Sequence, residues 1–510
     1  MLDFLNKHPK KTSFLLGSLS VLALPPFYFF PILFISFSLF IHLLNNSTSI
    51  KKSFYIGYFM GSGFFAFGFS WIGNALLIDP LTFGWLYPLV LIASGGFFGL
   101  FWAFPAILSF PFKTKIAKIL AFSSFYVLFE WLRSFLLTGF PWNLLGSVFA
   151  FSPKMLQLAS LTGTYGLSLL VLICCSFLSI GINKKNLKFF SIPIILILFT
   201  YTFGHLRLKA LNDDSVSNTT IRIVQPSIPQ SMKWSKETAE NNFQEHIRLS
   251  QKEGLDNIDF VIWGETASPY ILDLEPEKLK EITKAIPQNG YLITGSVRLE
   301  TNEEGSLQPL NSMFVINKEG SIINHYDKSH LVPFGEYIPL RRYLPSWITP
   351  ITNTIANFKQ GTPHKIISIP EHPDFSALIC YEIIFPSQII NKDNKPQWLI
   401  NLTNDGWYGD SAGPRQHLVT TQLRAIEEGI TISRVANSGI SAIISRTGCI
   451  LDEIPLNTKG ILDIKLPSKL STKTLYGELG NLIPVLLCFV GLLIALTITV
   501  RHNKLINNKL

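Results

Sequence analysis

Cys380 is the first residue whose type and position could do chemistry. The chain has only five cysteines, and this one ends an apolar run directly before Tyr381 and Glu382 in FSALICYEII (375–384). A cysteine there could be a small core residue, a nucleophile, or one half of a disulfide. Its disulfide partner would be Cys449, and the bond would need an oxidising compartment. The position of Cys380 alone leaves the three roles open.

Two other ionisable residues also follow apolar stretches. Glu265 ends DFVIWGE (259–265), and Lys328 ends SIINHYDK (321–328). Polar residues that end hydrophobic strands can point into a common crevice. Each also has a simpler role, because Glu265 could begin a surface turn and Lys328 could lie in a solvated loop. HExxH, CxxC and glycine-rich phosphate-binding motifs are absent from the sequence, which therefore supports neither a metal site nor a cofactor.

The segments around these residues alternate between strand and helix patterns. Residues 235–254 and 275–286 have helical patterns, and GPRQHLVTTQLRAIEEG (413–429) opens with glycine and proline, as helices often do. Consecutive strands lie between them, so the region predicts a layered α/β domain with sheets covered by helices. The predicted strands are IRIVQ (221–225), DFVIWGE (259–265), YLITGSV (291–297), MFVIN (313–317), SIINHYDK (321–328), FSALICYE (375–382) and WLINLTND (398–405).

Hydrophobic composition places this domain in a membrane protein. Of the 510 residues, 48% are hydrophobic and 15% charged, and the apolar residues concentrate before residue 204 and after residue 480. Apolar segments there are long enough to cross ~30 Å of hydrocarbon, and Pro25 and Pro26 divide the first of them into two legs. The eight predicted spans are 13–24, 26–45, 54–78, 84–112, 119–137, 155–183, 189–204 and 481–500.

The distribution of basic residues predicts the topology. With eight spans, the positive-inside rule places both termini in the cytoplasm and residues 205–480 outside it. The predicted domains are 1–204 with seven spans, 205–480 as an extracytoplasmic domain, and 481–510 as the last span and tail. Topology explains much of the net charge of +9, so no nucleic-acid partner is needed. The basic clusters are Lys7, Lys10 and Lys11; Lys51 and Lys52; Lys113, Lys115 and Lys118; Lys184, Lys185 and Lys188; and Arg501, Lys504 and Lys509.

Two features near the spans have competing explanations. A secretory signal peptide would fit the basic start and apolar run before Pro26, but further spans follow at once and no small-residue cleavage site is convincing. Glu130 and Arg133 lie three residues apart within a predicted span and share a helix face. Charges inside a membrane are functional candidates, but a pair that locks helix packing or faces the outer interface is the favoured interpretation.

Three motifs together resemble the Glu-Lys-Cys signature of the nitrilase superfamily. They are WGETA (263–267), HYDKSHLVPFGEYIP (325–339) and ICYEIIFP (379–386). Eight spans around such a domain resemble the apolipoprotein N-acyltransferase family, and Gly264 departs from the proline of many members in a way that affects turn stiffness rather than chemistry. Further matching segments are TGFPWN (138–143), QPSIPQSMKW (225–234) and NLTNDGWYGDSAGPRQH (401–417).

The resemblance implies a fold and a set of residue roles. The soluble domain would be an αββα sandwich, with Cys380 as nucleophile, Glu265 as general base and Lys328 as electrostatic stabiliser. A free thiol has a pKa of ~8.5, so a base and a nearby cation agree with a nucleophilic role. The resemblance also implies supporting roles for Glu336, which would orient the acid–base pair, and for Tyr381, Glu382 and Trp234.

The implied reaction moves an acyl chain from a phospholipid to the α-amine of an S-diacylglyceryl cysteine on an apolipoprotein, through a thioester on Cys380. The enzyme would be a cofactor-free monomer in the cytoplasmic (inner) membrane, with its catalytic domain on the periplasmic side. The apolar segment 337–358 predicts a mobile lid, with packing against the sandwich as the alternative. A membrane-tethered nitrilase-type amidase remains possible, and a transporter or scaffold is disfavoured because few ionisable residues lie within the spans.

Overall fold

The chain folds into two compact units. The computed structural model describes residues 2–184, 188–212, 215–301, 305–339, 341–343 and 357–508. The first unit contains Met1–Asn212, Ser411–Glu427 and Thr474–Leu510, and the second contains Asp213–Asp410 and Glu428–Lys473. The segment 411–427 therefore groups with the hydrophobic helices, whereas the sequence placed it in the soluble domain.

Helices dominate the first unit because uncharged segments satisfy their own backbone groups best as helices. Pro25 and Pro26 lie between two helices, as predicted, and the chain ends its first long helix at Ser20. In the described residues the helices are α1 Leu2–Lys7, α2 Pro9–Ser20, α3 Ile32–Asn45, α4 Ile50–Gly68, α5 Pro80–Phe83, α6 Tyr87–Leu108, α7 Lys115–Leu132, α8 Pro153–Leu156, α9 Ala159–Lys184, α10 Lys188–Leu211, α11 Gln230–Lys233, α12 Ala239–Ser250, α13 Pro276–Ile282, α14 Ala412–Glu428, α15 Leu475–Leu479 and α16 Leu482–Asn507.

Four helical segments among the described residues are long and apolar enough to cross a membrane. The other four predicted spans overlap α2, α3, α4 and α7, which do not reach the same combination of length, hydropathy and low charge. The structure thus supports a membrane domain, and the count of eight spans stays a prediction. The four segments are Pro80–Leu108, Ala159–Ile180, Ser191–Leu211 and Leu482–Asn507.

Glu130 of α7 and Arg133, which directly follows this helix, bind the backbone of the next segment. Glu130 Oε1 accepts a hydrogen bond from the Leu145 backbone N–H at 2.8 Å. Arg133 Nη1 donates to the carbonyl oxygens of Phe140 and Trp142, at 3.0 and 2.7 Å. These contacts fix the TGFPWN segment, and they fit the packing role that the sequence favoured over a functional one.

Helix α14 buries polar side chains within the first unit. Gln416 Oε1 accepts from the indole N–H groups of Trp71 and Trp142, at 3.1 and 2.9 Å. About two turns further on, the Arg424 guanidinium lies 2.7 Å from Glu427, and both side chains are at most 1% exposed. The Glu427 carboxylate also accepts from the backbone N–H and the hydroxyl of Thr164. This helix is therefore held by specific polar contacts as well as by apolar packing.

Two six-stranded sheets form the second unit. Their strand orders are β12-β1-β2-β3-β4-β5 and β11-β10-β9-β8-β7-β6. Strands β1, β2 and β3 run parallel, as do β7, β8 and β9, and the remaining pairings are antiparallel. The strands are β1 Val216–Gln225, β2 Phe260–Trp263, β3 Tyr291–Thr301, β4 Leu307–Ile316, β5 Ile322–Asp327, β6 Ile366–Ile367, β7 Phe375–Ile379, β8 Trp398–Thr403, β9 Thr431–Ala436, β10 Ser441–Ile444, β11 Ile450–Ile454 and β12 Gly460–Pro467.

The two sheets pack face to face because alternate side chains of each strand point to opposite faces. Ile223 and Ile262 of the first sheet share a core with Ala377 and Ile400 of the second. The opposite face of the first sheet, including Trp263, is covered by apolar side chains of α12 and α13. The predicted sandwich of sheets with an outer helical layer is confirmed.

Candidate active site

The three residues that the sequence singled out follow the ends of three strands. Glu265 comes two residues after β2, Lys328 directly follows β5, and Cys380 directly follows β7. All three are buried, with exposed fractions of 7%, 1% and 6%. Neither a surface turn for Glu265 nor a solvated loop for Lys328 agrees with this burial.

Lys328 lies between two carboxylates. Its Nζ is 2.9 Å from Glu336 Oε1 and 3.4 Å from Glu265 Oε1. Burial by itself would lower the pKa of Lys328, but Glu336 and Glu265 raise it well above its usual value. The side chain therefore stays an ammonium group, as an electrostatic stabiliser must.

Asn311 on β4 ties the same two carboxylates together. Its Nδ2 donates to Glu265 Oε1 at 2.8 Å and to Glu336 Oε1 at 3.0 Å. Its backbone oxygen accepts from the Lys328 N–H at 2.8 Å. One β4 residue thus positions all three charged groups, with Glu336 held on its other oxygen by the Val332 N–H at 2.8 Å.

Cys380 opens a tight helical turn with a backbone φ of +52°. This left-handed conformation is uncommon for a side chain other than glycine, and such strain clusters at functional sites. Burial raises the pKa of the thiol to about 12; Glu265 raises it further, whereas Lys328 and a backbone hydrogen bond from Asn404 lower it. The thiol is therefore protonated at neutral pH and lies within the electrostatic reach of both Glu265 and Lys328.

Glu382 joins the cysteine turn to the segment that carries Lys328. Its Oε2 accepts from the Ile379 N–H at 2.6 Å. Its Oε1 accepts from Tyr326 Oη at 2.9 Å, from the Ser329 N–H and Oγ at 2.7 and 2.6 Å, and from the His330 N–H at 3.0 Å. With five donors around it, Glu382 acts as a clamp between two parts of the site.

Tyr381 and Trp234 occupy different surroundings. Tyr381 is 2% exposed and packs its ring 5.2 Å from that of Phe385 and 5.5 Å from that of His330. Trp234 follows α11 and is only partly buried, with the Lys233 ammonium 5.9 Å from its ring centre. The described contacts thus make Tyr381 a packing residue of the cysteine turn and place Trp234 next to a buried lysine.

Comparison with known proteins identifies the family. Residues 16–177 match the family described as Apolipoprotein N-acyltransferase N-terminal domain, and residues 220–475 match Carbon-nitrogen hydrolase. The chain is 34% identical over 503 residues to the apolipoprotein N-acyltransferase of Rhodopseudomonas palustris, covering 94% of each chain. It is 36% identical over 470 residues to that of Rickettsia prowazekii, covering 92% of this chain and 94% of the relative.

The chain belongs to the apolipoprotein N-acyltransferase family. The match to the family member of Agrobacterium fabrum is 37% identity over 470 residues, or 88% of each chain. The resemblance drawn from the three motifs is therefore confirmed. As a member of this family the protein is an acyltransferase of the membrane, with a carbon-nitrogen hydrolase domain.

The structure decides the disulfide alternative for this apolipoprotein N-acyltransferase family member but does not describe most of the predicted lid. Cys380 and Cys449 are both free thiols, so the disulfide alternative is wrong. The predicted lid at 337–358 falls mostly on 340 and 344–356, which lie outside the described residues.

Several site residues of this family member were missed because their types are common in ordinary structural roles. Asn311 lies in the middle of a strand, and Lys233 ends a four-residue helix. Asp405 and Arg434 form an ion pair of 2.6 Å in which both side chains are 0% exposed. The Asp405 charge acts on the Cys380 thiol, so this pair lies within electrostatic reach of Cys380. In the sequence, only the position of Asp405 at the end of the predicted strand WLINLTND (398–405), like the positions of Glu265 and Lys328 in their strands, indicates such a role.

Proposed function

We propose that this protein transfers an acyl chain from a phospholipid to the N-terminal α-amine of an S-diacylglyceryl-cysteine apolipoprotein, through a thioester on Cys380. The observation that carries the proposal is the buried cluster of Glu265, Lys328 and Cys380 in a chain of the acyltransferase family. It acts as a monomer in the cytoplasmic (inner) membrane with eight spans. The domain of residues 205–480 lies on the periplasmic side.

The first half-reaction loads the enzyme. Cys380 Sγ attacks the ester carbonyl carbon of the phospholipid while Glu265 accepts the thiol proton. Forming a free thiolate first would cost about 7 kcal/mol at pH 7, given a thiol pKa of about 12. Proton transfer is therefore coupled to attack, and Glu265, whose charge acts on the thiol, serves as the proton acceptor in that step.

Lys328 stabilises the charge that develops next. The tetrahedral intermediate carries an oxyanion, and the Lys328 ammonium is buried where few water molecules screen it. A preorganised donor of this kind is typically worth ~100- to 1000-fold in rate. The C–O bond of the ester then breaks, Glu265 returns the proton to the leaving oxygen, and lysophospholipid departs from the Cys380 thioester.

The second half-reaction transfers the acyl group. The neutral α-amine of the apolipoprotein attacks the thioester carbon, and Glu265 accepts the proton that the nitrogen loses. The new C–N bond forms as the C–S bond breaks, and the Cys380 sulfur takes up that proton. A thioester that yields an amide runs downhill, so the cycle requires no cofactor.

Acylation by phospholipid alone tests this proposal. We expect the intact mass of the purified protein to increase by one fatty acyl chain, with hydroxylamine removing the adduct. A diacylated peptide with a free N-terminal amine should discharge the adduct, and the same peptide N-acetylated serves as the matched control. If free fatty acid is the main product, or if small amides release ammonia at comparable rates, the protein is a membrane-tethered hydrolase instead.

A further inference from the structure

Lys233 is a second buried cation beside the nucleophile and the base. It ends α11 and is 6% exposed. Its Nζ donates to the backbone oxygen of Glu265 at 2.8 Å. The side chain also lines a small cavity together with Glu265 and His246. A lysine is almost never fully buried without a partner, and here the partner is the backbone of the proposed base.

Lys233 adds a second positive charge to the cluster of Glu265, Glu336 and Lys328. Glu265 and Glu336 contribute two negative charges, and Lys328 alone offsets one of them. A thiolate or an oxyanion at Cys380 would add a further negative charge to a site with little water. Lys233 supplies the missing positive charge, and its electrostatic interactions with both Glu265 and Cys380 place it within reach of that negative charge.

Lys233 also holds a strained piece of backbone. Thr266, directly after Glu265, has φ +44°, an uncommon value for a β-branched residue. On one side, the Gly295 N–H donates to the Gly264 oxygen at 3.2 Å. A Cβ at Gly295 would lie 2.3 Å from Thr266 N, so the two segments approach as closely as glycine allows. On the other side, Lys233 binds the carbonyl of Glu265.

We propose that Lys233 is a positioning residue of the acyl-transfer site, which fixes the Glu265 backbone and supplies a second positive charge that favours ionisation of Cys380. This inference rests on the proposed function, because it assigns Lys233 to the same acylation step. Lys233 does not contact the reacting atoms in this assignment; it acts through Glu265 and through its field at the sulfur.

The protonation state of Lys233 makes the inference measurable. Burial lowers the pKa of Lys233 to about 8, whereas Glu265 and Cys380 act in the opposite direction. The third group that faces it is His246 on α12, whose pKa burial lowers to about 4, so this ring is neutral above pH 6. Lys233 is therefore charged below pH 8 and loses its charge above it, while His246 does not change.

The test is the rate at which iodoacetamide modifies Cys380, followed by peptide mass spectrometry from pH 6 to 10. In the Lys233→Met variant the rate should be about tenfold lower than wild type at pH 7, equivalent to one unit of thiol pKa. The two rates should converge above pH 9, where wild-type Lys233 is neutral as well. Lys233→Arg should keep the wild-type rate at pH 7, because the positive charge remains.

Lys318→Met is the matched control, because the Lys318 ammonium also donates to backbone carbonyl oxygens, those of Thr283 and Ile286. It should leave the profile unchanged. If Lys233→Met does not fold, Lys233→Gln takes its place in the same comparison. A variant-to-wild-type ratio that is constant with pH would show a purely structural role and overturn the inference. A wild-type enzyme that forms no acyl adduct with phospholipid would instead refute the proposed function, and alkylation would still decide the role of Lys233.

Discussion

Replacing Glu382 by glutamine tests the clamp between the cysteine turn and the Lys328 segment. The glutamine amide has one acceptor oxygen, whereas five donors surround the two carboxylate oxygens. The least costly arrangement keeps the oxygen at the Oε1 position, where four donors converge. The amide NH2 then faces the Ile379 N–H, so one donor loses its acceptor and meets another donor.

The size of the effect follows from these contacts. One hydrogen bond to a charged group is worth about 1.5–3 kcal/mol, and the remaining four weaken because the acceptor is no longer charged. We expect Glu382→Gln to destabilise the protein by about 3–4 kcal/mol. For a folded unit as large as the second unit, which contains Glu382, this loss should lower the melting temperature by about 10 °C. Because Lys328 directly precedes the clamped Ser329, a shift of ~1 Å there should also slow acylation by up to about 100-fold.

Thermal unfolding in detergent and single-turnover acylation of Cys380 measure the two effects. Tyr326→Phe is the matched control, since it removes one of the five donors and leaves the carboxylate charged. It should cost about 1 kcal/mol, or about 3 °C. A melting temperature for Glu382→Gln within 2 °C of wild type, together with an unchanged acylation rate, would refute the assignment of Glu382 as a clamp.

Four further substitutions give three more tests of the site. Cys380→Ala should abolish acyl-enzyme formation measured by intact mass, whereas Cys449→Ala should retain it, and loss of activity in the latter would contradict the free-thiol assignment. Asn311→Leu removes the amide shared by two carboxylates and should slow single-turnover acylation by about 10- to 100-fold; an unchanged rate would show that Lys328 alone positions them. Asp405→Asn leaves Arg434 buried without its anion and should cost about 3–5 kcal/mol in thermal unfolding, and a loss below 1 kcal/mol would argue against that pair as a structural element.

The sequence predicts the strands well because their apolar runs are long and end in polar residues. The seven predicted strands overlap β1, β2, β3, β4, β5, β7 and β8, although β1 and β4 begin several residues earlier than predicted. The strands from β9 to β12 were not predicted. The first of these, TISRVA, is fully buried and yet contains Arg434. In the sequence, a charged residue such as Arg434 indicates an exposed loop unless its ion-pair partner is known. That partner, Asp405, is distant in sequence.

The site residues likewise include some that the sequence predicts and some that it does not. Glu265, Lys328 and Cys380 could be selected because each follows an apolar strand and lies in a distinctive motif. Asn311 and Lys233 could not, since an amide within a strand and a lysine near a tryptophan are usually exposed residues. Their importance arises from tertiary contacts with Glu265, and no local pattern records such contacts.

Helix α14 determines how this protein can be divided. It connects β8 to β9 of the sandwich, yet Gln416, Arg424 and Glu427 find their partners among Trp71, Trp142 and Thr164 of the hydrophobic unit. In a fragment limited to the sandwich, this helix would be exposed to water. The Gln416 amide would lose its indole partners, and the Arg424–Glu427 pair would lose its contacts with Thr164. The two-sheet unit therefore cannot simply be exchanged between membrane proteins. Transplanting it onto another membrane anchor would require the anchor to supply two indole N–H donors and a threonine at the same positions.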